Sequence, residues 1–200
     1  KSPISVKIEK LTTENFSETN PVRKKQLKTE IDKILRERLE NSEKSFGYKI
    51  DFDFRLYFPV VFNNKNGFDI VIANPPYVST KGINEKDKKI FQQIFGFADD
   101  LYCHFYFKGM QLLQENGILA FISSKTFWTI QTKKNLRELI LKNKLLQLFD
   151  TANPFDTPMV ETCVILVQKN SNTLDNYTFN YLDGTKSIIS PTVQIGSIEY

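Results

Sequence analysis

The sequence predicts an α/β fold with a mostly parallel sheet flanked by helices. Apolar runs of strand length alternate with amphipathic runs of helix length between residues 68 and 168, and such alternation is typical of parallel strands connected by helices. With 200 residues, 40% of them hydrophobic, the chain is long enough to bury a core. A soluble globular domain is therefore expected.

The first third of the chain is predicted to be a helical connector. Residues 1–20 are polar and look irregular, and Asn20-Pro21 then offers an N-cap followed by proline at the first helical position. A helix should follow, because apolar residues recur at the spacing of one helix face. That face comprises Leu27, Ile31, Ile34 and Leu35. Residues 51–62 are rich in aromatics and contain Pro59, which predicts an extended segment with a short turn.

The rest of the chain supplies the predicted sheet and its helices. Apolar runs predict strands at 68–73, 118–123, 145–150 and 162–168. Helical periodicity predicts helices at 85–95, 99–115 and 132–143, the second of them ending at Asn116-Gly117. Residues 177–181, followed by Asp183-Gly184, predict a hairpin.

Composition narrows the class of protein only a little. No apolar run approaches the roughly 18–20 residues that cross a bilayer, and no secretory signal is visible. Cys103 and Cys163 lack a paired spacing, so they are predicted to be core residues in a reducing cytoplasm. The net charge of +4 is compatible with a polyanionic partner but does not establish one.

The strand predicted at 68–73 ends on Asn74, Pro75, Pro76 and Tyr77. Ligands of open α/β sheets bind beyond the carboxyl ends of the strands, so this loop lies where chemistry is normally done. Two prolines fix φ and remove two backbone donors, which leaves a stiff loop rich in acceptors. The carbonyls of Asn74 and Pro75 can accept hydrogen bonds from a planar NH₂ group that stacks on Tyr77. The nitrogen lone pair would then point outward at an electrophile.

The run DIVIANPPY resembles the catalytic motif of S-adenosylmethionine-dependent methyltransferases that act on adenine N6. Residues 50–170 resemble the methyltransferase part of bifunctional type II restriction-modification enzymes. The resemblance implies that Asn74 and Pro75, with Pro76, hold the adenine amino group, that Asn74 also lies beside the cofactor, and that Tyr77 stacks on an adenine flipped out of double-stranded DNA. It implies catalysis by positioning, without a metal. The implied fold is the C-terminal half of a doubly wound, mostly parallel methyltransferase sheet with a final antiparallel strand.

Three further motifs resemble those of the same family. DLYCHFYFKGMQLL is similar to the motif whose aromatic residue lies against the adenine of the cofactor, which implies this role for Phe105; a core aromatic is the alternative. ENGILAFISSKTFW resembles the following strand and loop, with Lys125 and Thr126 at its open end. NPFDTPMVETCVILVQK resembles a late motif whose aromatic residue packs on the flipped base, which implies this role for Phe155; a loop phenylalanine packed on the sheet edge is the alternative.

Several lysines lie in or near the loops expected to face DNA, where phosphate contacts would add sequence-independent affinity. They are Lys81, Lys86, Lys125, Lys133 and Lys134, although each is individually more often a solvated surface residue. The only histidine, His104, lies in an aromatic helical segment and is expected to be structural.

The family also has a glycine-rich loop that holds the methionine end of the cofactor, and no such loop precedes Asn74 here. We therefore expect a fragment whose partner is the missing N-terminal part of the same enzyme. Residues 1–50 would be a helical leader, 51–170 the catalytic half of the methyltransferase domain, and 171–200 the start of a segment leading to a target-recognition domain. Alone, the fragment should be inactive and should not bind S-adenosylmethionine measurably.

Two other functions fit the same residues. An amide NH₂ of a protein glutamine, or an adenine of RNA, would fit the same loop, although the candidate stacking residue Phe155 favours nucleic acid. The absent glycine-rich loop would instead favour a non-catalytic DNA-binding or scaffold segment. Loss of methyl transfer without loss of DNA affinity, after substitution of Asn74, would separate an enzyme from such a binder.

Overall fold

The computed structural model describes most of the chain, in two compact units, Lys1–Gly67 and Phe68–Tyr200. The described residues are 3–40, 42–46, 48, 50, 52–152, 160–169, 177–180 and 186–189. In this part of the chain no helix is long and apolar enough to cross a membrane. The predicted division at residues 50 and 170 concerns functional segments rather than packing, and it stays a prediction.

The first unit consists of helices. They are α1 (Pro3–Ser17), α2 (Pro21–Glu40), α3 (Ser42–Phe46), α4 (Phe54–Tyr57) and α5 (Pro59–Lys65). The predicted start of α2 is confirmed, because the Asn20 side chain accepts hydrogen bonds from the backbone N–H groups of Val22 and Arg23, at 2.9 and 3.2 Å. Helix α1 packs against α2, and Ile8 and Leu27 are buried in this unit.

Two predictions for this unit were wrong. Residues 3–17 form a helix rather than an irregular segment, because Ile8 and Leu11 provide a short buried stripe that the surrounding polar residues obscure. Within the segment predicted to be extended, residues 54–57 form α4 and residues 59–62 begin α5, whereas Asp51 lies outside the described residues. Asp53 caps α4 by accepting from two backbone N–H groups, and Pro59 begins α5, the one helical position that proline favours.

The second unit contains a six-stranded sheet in the order β1-β2-β4-β3-β5-β6. The strands are β1 (Phe68–Ala73), β2 (Leu113–Ser124), β3 (Lys144–Ala152), β4 (Thr162–Gln168), β5 (Tyr177–Asn180) and β6 (Lys186–Ile189). Strand β1 is parallel to β2, whereas β4 runs antiparallel between β2 and β3. The predicted α/β class, a mostly parallel sheet with a late antiparallel strand, is confirmed. Strands β5 and β6 pair antiparallel, as the predicted final hairpin requires, whereas its predicted turn at Asp183-Gly184 lies outside the described residues.

Three helices accompany this sheet: α6 (Glu85–Phe95), α7 (Leu101–Leu112) and α8 (Lys134–Leu141). Helices α7 and α8 contribute to one apolar core with β2, β3 and β4. Its largest fully buried side chains include Tyr106, Phe121 and Phe127. The rings of Tyr106 and Phe121 meet edge to face with centroids 4.9 Å apart. This core fixes the ends of the strands relative to the loops that follow them.

The predicted end of the second helix at Asn116-Gly117 was wrong, because α7 stops at Leu112 and β2 begins at once. Leu113 is fully buried and pairs with Phe68 of β1, so tertiary packing overrides the helical pattern. A Cβ at Gly117 would lie 2.9 Å from the Phe68 carbonyl oxygen. Glycine is needed here for close approach of two backbones rather than to end a helix.

Strand β1 lies at the edge of the sheet. Among the described residues it pairs with β2 alone. Ile70 and Ile72 are 57% and 77% exposed, whereas Val71 and Ala73 point the other way and pack against the core. The edge strand therefore presents an apolar face to solvent in this chain.

Candidate functional site

One edge of the second unit gathers the contiguous part of the predicted site and Lys125. Strands β1, β2 and β3 all end there, and the antiparallel strand β4 begins there. The loop of residues 74–79 follows β1, Lys125 follows β2, and Glu161 precedes β4. Candidate site residues from different parts of the sequence therefore lie at the carboxyl edge, where ligands of open α/β sheets bind.

Asn74, Pro75, Pro76 and Tyr77, hereafter the NPPY loop, have different environments. Pro75 is buried and anchors the loop, whereas Asn74 and Pro76 are exposed and Tyr77 is half-buried. The Tyr77 hydroxyl donates to Asn74 Oδ1 across 3.1 Å. Burial raises the pKa of Tyr77, so its hydroxyl stays protonated and remains a donor. The ring and the amide are thus held side by side at the surface.

Tyr77 lines a cavity of about 610 Å³. The opposite wall carries hydroxyl groups that bond to one another: Tyr102 and Thr126 share a hydrogen bond of 3.0 Å, and Ser124 and Thr126 share one of 2.9 Å. The complete lining is Tyr77, Val78, Ser79, Asp100, Tyr102, Ser124, Lys125, Thr126, Trp128, Thr129, Ile130, Val160 and Glu161. Polar groups and aromatic rings in one concave space suit a planar polar ligand.

Lys125 lines the cavity, and its positive charge is balanced by ion pairs with two carboxylates. Its Nζ lies 3.1 Å from Asp150 Oδ2 and 3.0 Å from Glu161 Oε2, and 5.7 Å from the centre of the Trp128 ring. Burial lowers the pKa of Lys125, but the hydrogen bonds to Glu161 and Asp150 outweigh it and raise the pKa overall. The ammonium is therefore retained at neutral pH and is held between two carboxylates.

A buried arginine shapes the loop that forms another side of the cavity. Arg137 of α8 donates from Nη1 to the carbonyl oxygens of Phe127 and Ile130, at 2.8 and 2.7 Å, and from Nη2 to that of Gln131, at 3.4 Å. These bonds fasten the segment between β2 and α8. Trp128 and Ile130 of that segment therefore have a fixed place in the lining.

The other predicted site residues are dispersed. Phe105 is 39% exposed, although its neighbours His104 and Tyr106 on α7 are buried. Phe155 lies outside the described residues. Of the predicted DNA-contacting lysines, Lys81, Lys86 and Lys134 are exposed. Lys133 differs from these three, because it is buried.

Lys133 is only 4% exposed, and its ammonium pairs with Asp99 and with Asp100 Oδ2, the latter at 2.7 Å. Burial lowers the pKa of Lys133, but hydrogen bonds to Asp100 and Asp99 more than compensate and raise it. A buried ammonium whose charge is balanced by two carboxylates is poorly placed to contact a phosphate of DNA. We therefore leave Lys133 out of the DNA contacts proposed below.

Sequence reasoning missed several residues that line the cavity, above all Asp100, Tyr102 and Trp128. Asp100 and Tyr102 lie inside the motif that drew attention to Phe105, and the positions of Thr126 and Trp128 directly after an apolar strand were a usable signal. Asp150 and Glu161 are 11 residues apart in sequence and meet only through Lys125. No local pattern could have paired them.

His104 lies inside an aromatic cluster beside α7. Its ring stacks on Phe91 and Phe97, with centroids 4.3 and 5.0 Å away. The Asp99 backbone N–H donates to His104 Nε2 across 3.0 Å, so this nitrogen is an acceptor and the ring is neutral. Burial, first of all, lowers the pKa of His104 from its usual 6.5. The residue has the environment of a structural histidine.

This environment predicts acid sensitivity. Because the folded pKa lies below the unfolded one, the unfolded chain binds the proton more readily, and folding stability is lost as the pH falls through 6.5 toward the folded pKa. The loss should not exceed about 1.4 kcal/mol per pH unit. His104→Gln keeps an acceptor but does not titrate, so its unfolding temperature should fall less than that of the wild type between pH 8 and pH 5. Equal falls would contradict the prediction.

The strand order and the NPPY loop at its carboxyl edge define a domain of the α/β methyltransferase class. The model of the Eco57I restriction-modification methylase family matches residues 1–156. The chain belongs to this family. The resemblance to the methyltransferase part of restriction-modification enzymes, inferred from the sequence motifs, is thereby confirmed.

Two relatives illustrate the similarity. The chain is 27% identical over 149 residues to the type II restriction enzyme and methyltransferase RM.Eco57I of Escherichia coli, a match covering 66% of this chain and 15% of that protein. It is 25% identical over 126 residues to the type II methyltransferase M.VspI of Vibrio sp. (strain 343), covering 63% and 31%. The chain thus spans less than a third of the length of either relative. Among solved structures, the EcoKI M protein covers 57% of this chain and 25% of its own, with a TM-score of 0.47 and 20% identity.

Proposed function

We propose that this chain carries the base-holding loop of a site-specific DNA adenine-N6 methyltransferase within a cytoplasmic restriction-modification enzyme. The observation that carries the proposal is the pairing of Asn74 and Tyr77 at the carboxyl edge, where an exposed amide and a half-buried ring stand side by side. Relatives that are themselves named type II methyltransferases support the assignment to DNA modification.

In the proposed reaction, a flipped adenine lies against the ring of Tyr77. Asn74 Oδ1 and the Pro75 carbonyl oxygen accept the two amino hydrogens, which directs the nitrogen lone pair away from the loop. Asn74 Oδ1 already accepts one hydrogen bond, from Tyr77, and an amide oxygen has a second lone pair that can accept from the adenine amino group. The loop thus works by orientation, and the proton released from the methylated nitrogen passes to solvent.

S-adenosylmethionine would supply the electrophilic methyl group. Phe105 fits the role of a contact for its adenine, because the ring is exposed on a helix whose adjacent residues are buried. Asn74 would also lie beside S-adenosylmethionine. Phe155 stays a predicted second stacking residue for the base.

Lys81, Lys86 and Lys134 are the lysines proposed to contact DNA phosphates, since their side chains are exposed. Lys125 joins them only if a phosphate replaces Glu161, the more exposed of its two partners. Such contacts would add affinity without sequence information, so the recognised DNA sequence must be read by other groups.

Methyl transfer by the natural gene product tests the proposal. With S-adenosylmethionine labelled in its methyl group and with genomic DNA, we expect label in the DNA and N6-methyladenine after digestion to nucleosides. Label in RNA or in a protein glutamine, with none in DNA, would favour the alternative substrates. Binding to DNA without transfer to any of these substrates would favour the non-catalytic alternative.

Residues 1–200 on their own provide a comparison. We expect titration calorimetry of this chain with S-adenosylmethionine to show no measurable binding, because no glycine-rich loop precedes the NPPY loop to hold the methionine end. A dissociation constant in the micromolar range would contradict this expectation.

A further inference from the structure

A buried ionic cluster lies directly behind the NPPY loop. It comprises Asp99 and Asp100 at the start of α7, Lys133 before α8, and Thr80 in the 3₁₀ turn that follows the loop. Lys133 pairs with both carboxylates, and both the backbone N–H and the hydroxyl of Thr80 donate to Asp100 Oδ1, at 2.8 and 2.9 Å. Four residues from three segments therefore share one network.

The network is hydrogen-bonded to the segment that directly follows the NPPY loop. Thr80 is three residues after Tyr77, and between them the carbonyl oxygen of Val78 accepts from the Leu101 backbone N–H at 2.9 Å. The segment that leaves Tyr77 is therefore fastened to the start of α7 by three hydrogen bonds. Asp100 also lines the cavity together with Tyr77, so a displacement of Asp100 would alter the cavity wall.

Lys133 is the only cation of this network, and it faces two carboxylates on adjacent residues. Without it, Asp99 and Asp100 would stand next to each other, largely buried and with no countercharge, an arrangement that repels and is costly to desolvate. Asp100 would then turn toward solvent and release Thr80. The position of the segment that follows the NPPY loop would then depend on a side chain that does not itself line the cavity.

We propose that Lys133 is a positioning residue that acts through Asp100 and Thr80 to hold Tyr77 in place at the cavity. This inference rests on the proposed function for its catalytic consequence, but not for its structural one. It replaces the DNA contact that the sequence suggested for Lys133 with a role inside the protein.

The test compares Lys133→Met with Lys89→Met, which removes an exposed lysine of α6, in the natural gene product. Hydrogen exchange at the backbone amides of Thr80 and Leu101 should accelerate in Lys133→Met only. Its kcat for methyl transfer should fall about tenfold or more, with KM for DNA within about twofold, because misplacement of a positioning group slows the reacting complex. Lys133→Arg, which keeps the cation, should recover part of both effects.

A second pair of variants, at Thr80, distinguishes the proposed coupling from general unfolding of Lys133→Met. Thr80→Val removes the hydroxyl but leaves the buried charges intact, whereas Thr80→Ser keeps the hydroxyl. Faster exchange and a lower kcat in Thr80→Val alone would support the coupling, and identical behaviour of the two variants would overturn it. Unchanged exchange in Lys133→Met, with weaker and less salt-dependent DNA binding, would return Lys133 to a phosphate contact. If the wild type transfers no methyl group, the proposed function fails, while the exchange rates still decide the structural coupling.

Discussion

Replacing Asn74 by alanine should lower kcat for methyl transfer to DNA by about 10²–10³-fold, the usual cost of removing one preorganised hydrogen-bonding group at a reacting centre. Alanine leaves the amino group without its side-chain acceptor, so the lone pair is no longer directed. Because Asn74 is exposed and, within the described part of the chain, its side chain bonds to the Tyr77 hydroxyl at the surface, the fold should be unaffected. DNA affinity should change little. Methyl incorporation and DNA binding, measured on the same preparations of the natural gene product, would check both statements.

Asn64→Ala is the matched control, because Asn64 is an exposed asparagine on α5 in the other compact unit. It should retain full activity. If Asn74→Ala kept wild-type kcat, the NPPY loop would not be the base-holding element. If it lost DNA affinity in proportion to activity, Asn74 would be a binding residue of a non-catalytic segment.

The largest expected effect on stability comes from Phe121 in β2. Its side chain is 2% exposed and contacts the Tyr106 ring in the centre of the core. Phe121→Ala should lower the free energy of unfolding by about 3–5 kcal/mol, since the lost apolar contacts add to the cost of the cavity left behind. Denaturant titration of wild type and variant would measure the difference.

Phe105→Ala is the appropriate comparison, because the same side chain is removed from a partly exposed position of the same unit. It should cost less than about 1 kcal/mol. Under the proposed function it should raise KM for S-adenosylmethionine in the natural gene product, whereas a residue that only packs would not. A loss of stability as large as that of Phe121→Ala would place Phe105 in the core and remove it from the cofactor site.

Local patterns predicted those parts of the fold whose residues all point to one structure. The run at 68–73 is apolar and ends on two prolines, and the structure has β1 at those residues. The helix at 85–95 is capped by Asn84 and ends at Gly96, whose φ is +83°, so both ends carry strong signals. Local patterns failed where contacts between distant residues determine the secondary structure. Leu113 belongs to β2 rather than to α7 because it pairs with Phe68 of β1.

The candidate site was likewise predictable where its residues are contiguous in sequence and unpredictable where they come from distant segments. The NPPY loop is contiguous, so its residues could be recognised together, and the position after a strand indicated the sheet edge. The cavity could not be predicted, because its wall combines α7, the segment after β2 and the residues before β4. Burial of Lys133 was equally hidden, since a lysine next to Lys134 before a helix has the sequence pattern of an exposed one.

The edge of β1 has a consequence for the behaviour of the chain in solution. Among the described residues β1 pairs with β2 on one side only, and an edge strand with two exposed isoleucines is a template onto which another extended peptide can add, a recognised origin of aggregation in β proteins. Pro75 and Pro76 limit that template, because neither residue has a backbone N–H to offer to an incoming strand. The same two prolines that stiffen the base-holding loop therefore also stop intermolecular sheet growth before it reaches Tyr77.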